Sequence, residues 1–341
     1  MKVLGIGNAL LDVLLRLESD NTLTEIGIQK GAMDLIDESR MRTIHRVQAG
    51  LRRNEAPGGS VCNTMRAMAC LGAEVGYIGK VGSDATGDFY ENAIRKAGVT
   101  PHIIRAEGIS GTSTILISPD SERTMATFLG PAATLSATEI PDELLAAYDC
   151  LYIEGYLIAN EALFLPVLQR AQKAGLQIAL DLSNFNIVNG FKGLLSEVIP
   201  QYVKILFSNE YEAALYTGLN AEQAVRKISE QVDISIVTLG KRGALVGSRG
   251  EVIAVPALER LPVDTTGAGD NFAAGFLYGL TKKASFTQAA QIGSLLAGHV
   301  IETIGPQIPD ERWPHIIVKV DEIRMGETGE AGEAGETGEA G

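Results

Sequence analysis

Cysteine is scarce in this chain. The three residues Cys62, Cys70 and Cys150 are too few and too scattered for a disulfide framework or a cysteine-rich zinc site. Reduced thiols in a cytoplasmic protein are the expectation. The four histidines, at 45, 102, 299 and 315, show no metal-ligand spacing, and no Ser/His/Asp or Cys/His arrangement presents a nucleophile. Positive charge is also short: 29 Lys and Arg face 42 Asp and Glu, for a net −13. Setting aside the five Glu of residues 326–341 still leaves −8. A nucleic-acid partner is therefore not expected, because grip on a phosphate backbone draws on clustered Lys and Arg. No apolar run approaches the length of a membrane span, so no membrane partner is expected either. Asn8 and Asp12 interrupt the N-terminal "MKVLGIGNALLDVLL", and no small-x-small cleavage site follows, so it reads as a buried first strand rather than a leader. The pattern G-x-x-x-x-G-K-[ST] is missing throughout, which excludes a P-loop.

What is present suits a large α/β body. At 45% hydrophobic and 21% charged residues, the chain can bury a sizeable core. The runs "KVLGIG", "DCLYIEG", "LQIALDL", "VKILFSN" and "ISIVTLG" are β-type, and helical patterns such as 161–175 and 209–218 lie between them. Such alternation implies βαβ units and a doubly wound, mostly parallel central sheet with helices on both faces. Ligands then bind at the carboxyl ends of the strands. Two segments break the pattern, about 13–55 and 100–130, and read together as a small β lid over one end of the sheet. The ending "GETGEAGEAGETGEAG", 326–341, has the three-residue period of collagen but no proline, and reads as a disordered acidic tail beside a 1–325 body.

One stretch carries most of the chemistry: "DTTGAGDNFAAGF", Asp264 to Phe276. Its glycines end where a helix pattern begins. The first amides of a helix lack internal partners and sit at the positive end of its dipole, so Gly267, Ala268 and Gly269 offer an anion hole. A carboxylate at Asp270 would repel that anion unless it serves a partner molecule, for instance by taking a proton from an attacking hydroxyl. Taken alone, "GAGD" is equally well explained by Asp270 as a plain N-cap.

Further motifs follow in order: "GIGNALLD" at the start, "APGGSVCNT" at 56–64 and "IGKVGSDATGDF" at 78–89. Then come "SERTMATFLGPA" at 121–132, "SNEYEA" at 208–213 and "VTLGKRGA" at 237–244. Together with "DTTGAGD" they make the sequence resemble the ribokinase-like (PfkB) carbohydrate kinases over about residues 2–309, most closely the adenosine kinase branch. That resemblance implies a ribokinase-like fold and an ATP-dependent kinase using Mg²⁺, monomeric or homodimeric. It would move the γ-phosphate of ATP to a primary hydroxyl of an adenosine-like ribonucleoside, with Asp270 as base.

Residue by residue, the resemblance implies that Asp12, with Asn8 near it, accepts hydrogen bonds from sugar hydroxyls. Gly58 and Gly59 would bend at the lid hinge against the sugar, and Asn63 would bond one of its hydroxyls. Arg123 would approach the ATP phosphates. Asn209 and Glu212 would organise Mg²⁺ through water. Thr238 and Gly240 would approach the nucleotide, with Gly243 packing closely behind. Asp264 and Thr266 match a monovalent-cation site, a K⁺ site in relatives, whose other half should come from "VIETIG" at 300–305. Tyr156 is a candidate neighbour of the base. Asp12, Gly58-Gly59, Asn63, Arg123, Asn209 and Glu212 also have plainer explanations: a turn, a helix cap, or a solvated charge. Three other functions stay open: a kinase of a free sugar such as ribose or fructose, a non-catalytic sugar- or nucleoside-binding regulator, and a nicotinamide-dependent dehydrogenase. The last is weakened because Leu10 stands where G-x-G-x-x-G needs its third glycine after Gly5 and Gly7.

Overall fold

The strands, in chain order, are β1 Val3–Ile6, β2 Leu10–Arg16, β3 Met33–Leu35, β4 Arg53–Gly58, β5 Val75–Gly82, β6 Thr100–Ala106 and β7 Gly111–Ile117. They continue as β8 Arg123–Phe128, β9 Cys150–Glu154, β10 Gln177–Asp181, β11 Ile205–Asn209, β12 Ile234–Thr238, β13 Ala244–Ser248 and β14 Glu251–Val255. These assignments come from a computed structural model that describes residues 1–31, 33–47, 53–120 and 122–326. All but the first residue of the Gly-Glu ending lies outside the described residues.

Nine strands form the large sheet in the order β14-β13-β12-β11-β10-β9-β1-β5-β6. Pairing is parallel from β12 through β6, and β13 and β14 add an antiparallel edge. Strands such as "VLGI" and "VGYIGKVG" are buried along their whole length, as expected when helices cover both faces of a parallel sheet. Alternate residues feed two cores. Tyr77, Tyr152, Phe207 and Ile236 pack with the helices Ser60–Cys70, Ala268–Thr281 and Phe286–Val300. Leu4, Ile153, Leu206 and Val237 pack with Phe164–Lys173, Phe185–Tyr202 and Ala221–Ser229. The chain winds one way from β1 to β5 and the other way to β9, so the strand order reverses at β1. The crevice outside that reversal is where such sheets take ligands. Among the described residues, no helix is long and apolar enough to cross a membrane.

The lid is a second sheet, ordered β3-β8-β7-β2-β4. On its outer face, Leu11, Val13, Leu15, Leu116 and Ala126 pack against Leu23, Ile26 and Ile44 of two short helices, Asn21–Ile26 and Glu38–Val47. Its register places Asp12 beside Ser113, and Ser113 opposite Thr127, on the other face. The lid differs from the expected segments in two ways. It starts at Leu10, and β6 does not belong to it: Thr100–Ala106 pairs in parallel with β5 and ends the large sheet. An edge strand needs only one pairing neighbour and keeps polar residues, so its mixed pattern resembled a lid strand.

Where the lid joins the body, Gly58 and Gly59 let the backbone pass tightly over the site. A Cβ at Gly58 would overlap the Asp12 carboxyl, and one at Gly59 would overlap the Asn8 carbonyl. Gly59 also sits at φ +93°, a region costly for L residues. Gly59→Ala is expected to cost roughly 1–3 kcal/mol and lower Tm by several degrees. An unchanged Tm would show that this backbone is under no such constraint.

Candidate active site

The helix Ala268–Thr281 is capped by Gly267 in the left-handed conformation, φ +74°, with no side-chain cap bond. The amides of Gly267, Gly269 and Asp270 have no acceptor among the described residues. Ala268 differs from expectation, because its amide turns back onto the Thr265 carbonyl at 3.2 Å and closes the turn. A Cβ built at Gly269 would meet nothing within 4 Å, so the backbone there is open to an approaching group. Three amides at a helix N-terminus remain available to an anion.

Asp270 is not the cap of this helix; Gly267 is. Its side chain instead crosses to the start of the helix Ser60–Cys70. There Oδ1 accepts from Ser60 Oγ at 2.7 Å and Oδ2 from Asn63 Nδ2 at 2.8 Å. Thr64 Oγ1 donates to the Asp270 carbonyl at 3.1 Å. Burial raises the Asp270 pKa, and the bonds from Asn63 and Ser60 only partly oppose it. A carboxylate held this way is a stronger base than a free one. Ser60 was not anticipated, since a serine after two glycines reads as turn chemistry.

Three further buried polar residues, Asp12, Asn63 and Asn8, belong to this crevice. Asp12 is 7% exposed, and its carboxyl has no hydrogen-bond donor among the described residues. Asn63 is 6% exposed and spends its amide nitrogen on Asp270, which leaves Oδ1 buried without a partner. Such groups cost free energy unless a donor arrives. The Asp12 carboxyl is pushed up to about 7, mainly by burial and then by the Asp270 charge, with Arg66 opposing. Asn8, 8% exposed, is tied by its backbone and side-chain nitrogens to Glu154 Oε1 at 2.9 and 2.8 Å.

Glu154 was overlooked from sequence. It ends β9, is 1% exposed, and also accepts from the Val61 amide at 3.2 Å. It therefore pins the loop after β1 to the first turn of the Ser60–Cys70 helix. A Glu closing the apolar run "CLYIE" was the available signal. Burial pushes it up to about 7 despite its three amide donors.

Farther along the crevice, Asn209 and Glu212 form a reciprocal capping box, with Asn209 N to Glu212 Oε2 at 2.8 Å and Glu212 N to Asn209 Oδ1 at 3.0 Å. The cap explanation holds for Asn209, but Glu212 is 3% exposed rather than solvated. Burial holds the Glu212 carboxyl up, and burial together with the Glu212 charge holds Asp181 well above its usual range. Neither has an ionic partner among the described residues, so the pair suits a hydrated Mg²⁺. Thr238 pairs in register with Asn209. Gly240 follows at φ +57°. A Cβ at Gly243 would overlap the Val255 carbonyl. Tyr156, half-buried, lies just after β9 and donates to the Ser183 carbonyl at 3.3 Å.

At the lid edge, Arg123 meets the loop ahead of the anion hole. Its guanidinium pairs with Asp264 and donates to Thr266 Oγ1, rather than standing free to meet phosphates as its family role implies. Burial raises the Asp264 pKa, but bonds from Gly305, Thr266 and Arg123 outweigh this and leave it low.

The family model for pfkB family carbohydrate kinases matches residues 28–313. This chain belongs to that family. An adenosine kinase structure from Sinorhizobium meliloti superposes with a TM-score of 0.81 at 33% identity, covering 90% of this chain and 95% of that one. A probable sugar kinase from Rhizobium etli gives 0.82 at 31%, covering 93% and 98%. A ribokinase from Haemophilus influenzae is 29% identical over 74% of this chain and 83% of its own length. The protein is a carbohydrate or nucleoside kinase of the PfkB family, with a large, mostly parallel sheet flanked by helices as in its ribokinase-like neighbours.

The buried carboxyls of this kinase imply a pH dependence. Asp12 and Glu154 keep their protons when folded at pH values where the unfolded chain has lost them. Stability should therefore fall as pH rises from about 4 to about 7, and level off above. Melting of the ligand-free kinase should show a higher Tm at the acidic end of that window, with a shallower slope in Glu154→Gln. The variant should also raise the acceptor KM roughly tenfold, since a lost buried hydrogen bond costs about 1–3 kcal/mol. A Tm that climbs with pH would contradict the assignment.

Proposed function

We propose that this kinase transfers the γ-phosphate of ATP to the primary hydroxyl of an adenosine-like ribonucleoside. The observation that carries the reading is the pair of donor-less acceptors beside the base: the Asp12 carboxyl and Asn63 Oδ1. Two adjacent ring hydroxyls would donate to them. Asn63 also holds Asp270, so the same side chain relates the sugar ring to the base. The primary hydroxyl would then give its proton to Asp270 as its oxygen attacks the γ-phosphorus in line, the bond to the β–γ bridging oxygen breaks and ADP leaves. The amides of Gly267, Gly269 and Asp270 would take up charge spreading over the transferred phosphoryl oxygens. Mg²⁺ bound with the nucleotide, near Asp181 and Glu212 and with Asn209 fixing Glu212, would neutralise phosphate charge.

A nucleoside is favoured over a free sugar by Leu35. It is 73% exposed, and its register with Thr127 places it on the lid row that carries Asp12. A large exposed leucine on the ligand-facing row suits the apolar face of a base, with Tyr156 another candidate neighbour. Thr238, Gly240 and Gly243 are assigned to the ATP side. Similarity to the ribokinase keeps ribose as the second reading.

With ATP and Mg²⁺, adenosine should give the highest kcat/KM in a panel of nucleosides, ribose and fructose. A panel that yields no product would defeat the proposal. Asp270→Asn should lower kcat by about 10²–10⁴-fold, while ATP binding measured by calorimetry stays nearly intact. Leu35→Ala should lower kcat/KM for adenosine about tenfold, through partial loss of a leucine's burial, and leave ribose unaffected.

A further inference from the structure

The family resemblance implies a monovalent cation held by Asp264, Thr266 and the segment 300–305, so the oxygens there can be tested for room. Asp264 Oδ1 accepts from the Thr266 amide at 2.8 Å. Oδ2 accepts from the Gly305 amide at 2.6 Å and pairs with Arg123. Thr266 Oγ1 accepts from the same guanidinium. The Ile301 carbonyl takes the amides of Val263 and Asp264, at 2.7 and 3.1 Å. The Val300 carbonyl takes the amide and hydroxyl of Thr303, at 3.0 and 2.8 Å. The Asp264 side chain is 2% exposed. The segments expected to share a cation do come together, but both Asp264 carboxyl oxygens, Thr266 Oγ1 and the Val300 and Ile301 carbonyls already have partners, and one partner carries a positive charge. A cation bound at the Asp264 carboxylate and the Thr266 hydroxyl would have to displace that guanidinium.

We infer that Arg123 takes the place of the monovalent cation and that this kinase works without one. A guanidinium keeps its charge at any working pH and makes several directed bonds in one plane, so it can hold a carboxylate and a hydroxyl together as a bare ion would. The source of the charge differs, however. A dissolved cation binds the loop whatever the lid does, whereas Arg123 opens the lid strand β8. Its charge reaches Asp264 from the lid sheet and would leave with it. Thr266 immediately precedes Gly267, the cap of the amide hole, so the latch that closes the lid also braces the loop presenting those amides. The lid's apolar surface closes on the same place, with Leu14 lying against Gly305. The structural part of the inference is independent of the proposed reaction, and only its effect on turnover rests on that reading.

The test compares KCl with tetramethylammonium chloride at constant ionic strength, reading Tm of the nucleotide-free protein and, separately, kcat. Wild type should give the same Tm and kcat in both salts. Arg123→Gln should melt lower and turn over more slowly in tetramethylammonium, and KCl should restore part of both. Arg123→Lys, which keeps a positive charge, should remain indifferent to the salt. Potassium raising the Tm or kcat of wild type would overturn the inference, as would an Arg123→Gln protein that responds to neither salt. Because Tm needs no substrate, a protein inactive on every acceptor tried would still answer the cation question.

Discussion

Five carboxyls, those of Asp12, Glu154, Asp181, Glu212 and Asp270, gather at the carboxyl ends of the parallel strands, and burial holds every one above its ordinary pKa. The body tolerates this because most of them accept bonds from fixed neutral donors. Glu154 takes three nitrogens, Asp270 a hydroxyl and an amide, and Glu212 its own helix cap. Repulsion among them is thus confined to one crevice, where hydroxyl donors or a cation would relieve it. Unpaired buried charge is costly for stability. At a kinase site it is also what makes a base basic and a cation welcome.

The two helix starts that meet at this crevice do different work. The one at Gly267 keeps three amides free for an anion. The one at Ser60 turns its first polar side chains onto Asp270 and so fixes its carboxylate. Glu154 links the second start to the loop bearing Asn8, so strand, loop and helix hold one geometry. The lid completes it from above, with Asp12 on its inner row and Arg123 on the loop that precedes Gly267.

Much of this could be read in the chain before folding was considered. The β-type runs found their places as β1 and β9 to β12, and the glycine-rich opening of a helix lay where "GAGD" placed it. Local chemistry suffices there, since amphipathic period and glycine backbone freedom act over a few residues. Reading failed where the deciding partner was far away in sequence. Glu154 bonds residues 146 and 93 positions off, and Ser60 bonds one 210 positions off. β6 resembles a lid strand because an edge strand of a large sheet and a strand of a small one carry similar patterns.

The sequence by itself determined that this is a large α/β body with a glycine-rich turn opening a helix and a carboxylate beside it, because those features depend on residue type and spacing. Only the tertiary structure decided what each charged group does. It turned Asp270 away from a capping role, left Asp12 and Asn63 Oδ1 without donors, and set Arg123 on Asp264 where a dissolved cation was expected. The physical reason is that a charge takes its function from its neighbours and its burial, and those are properties of packed surfaces brought together from opposite ends of the chain.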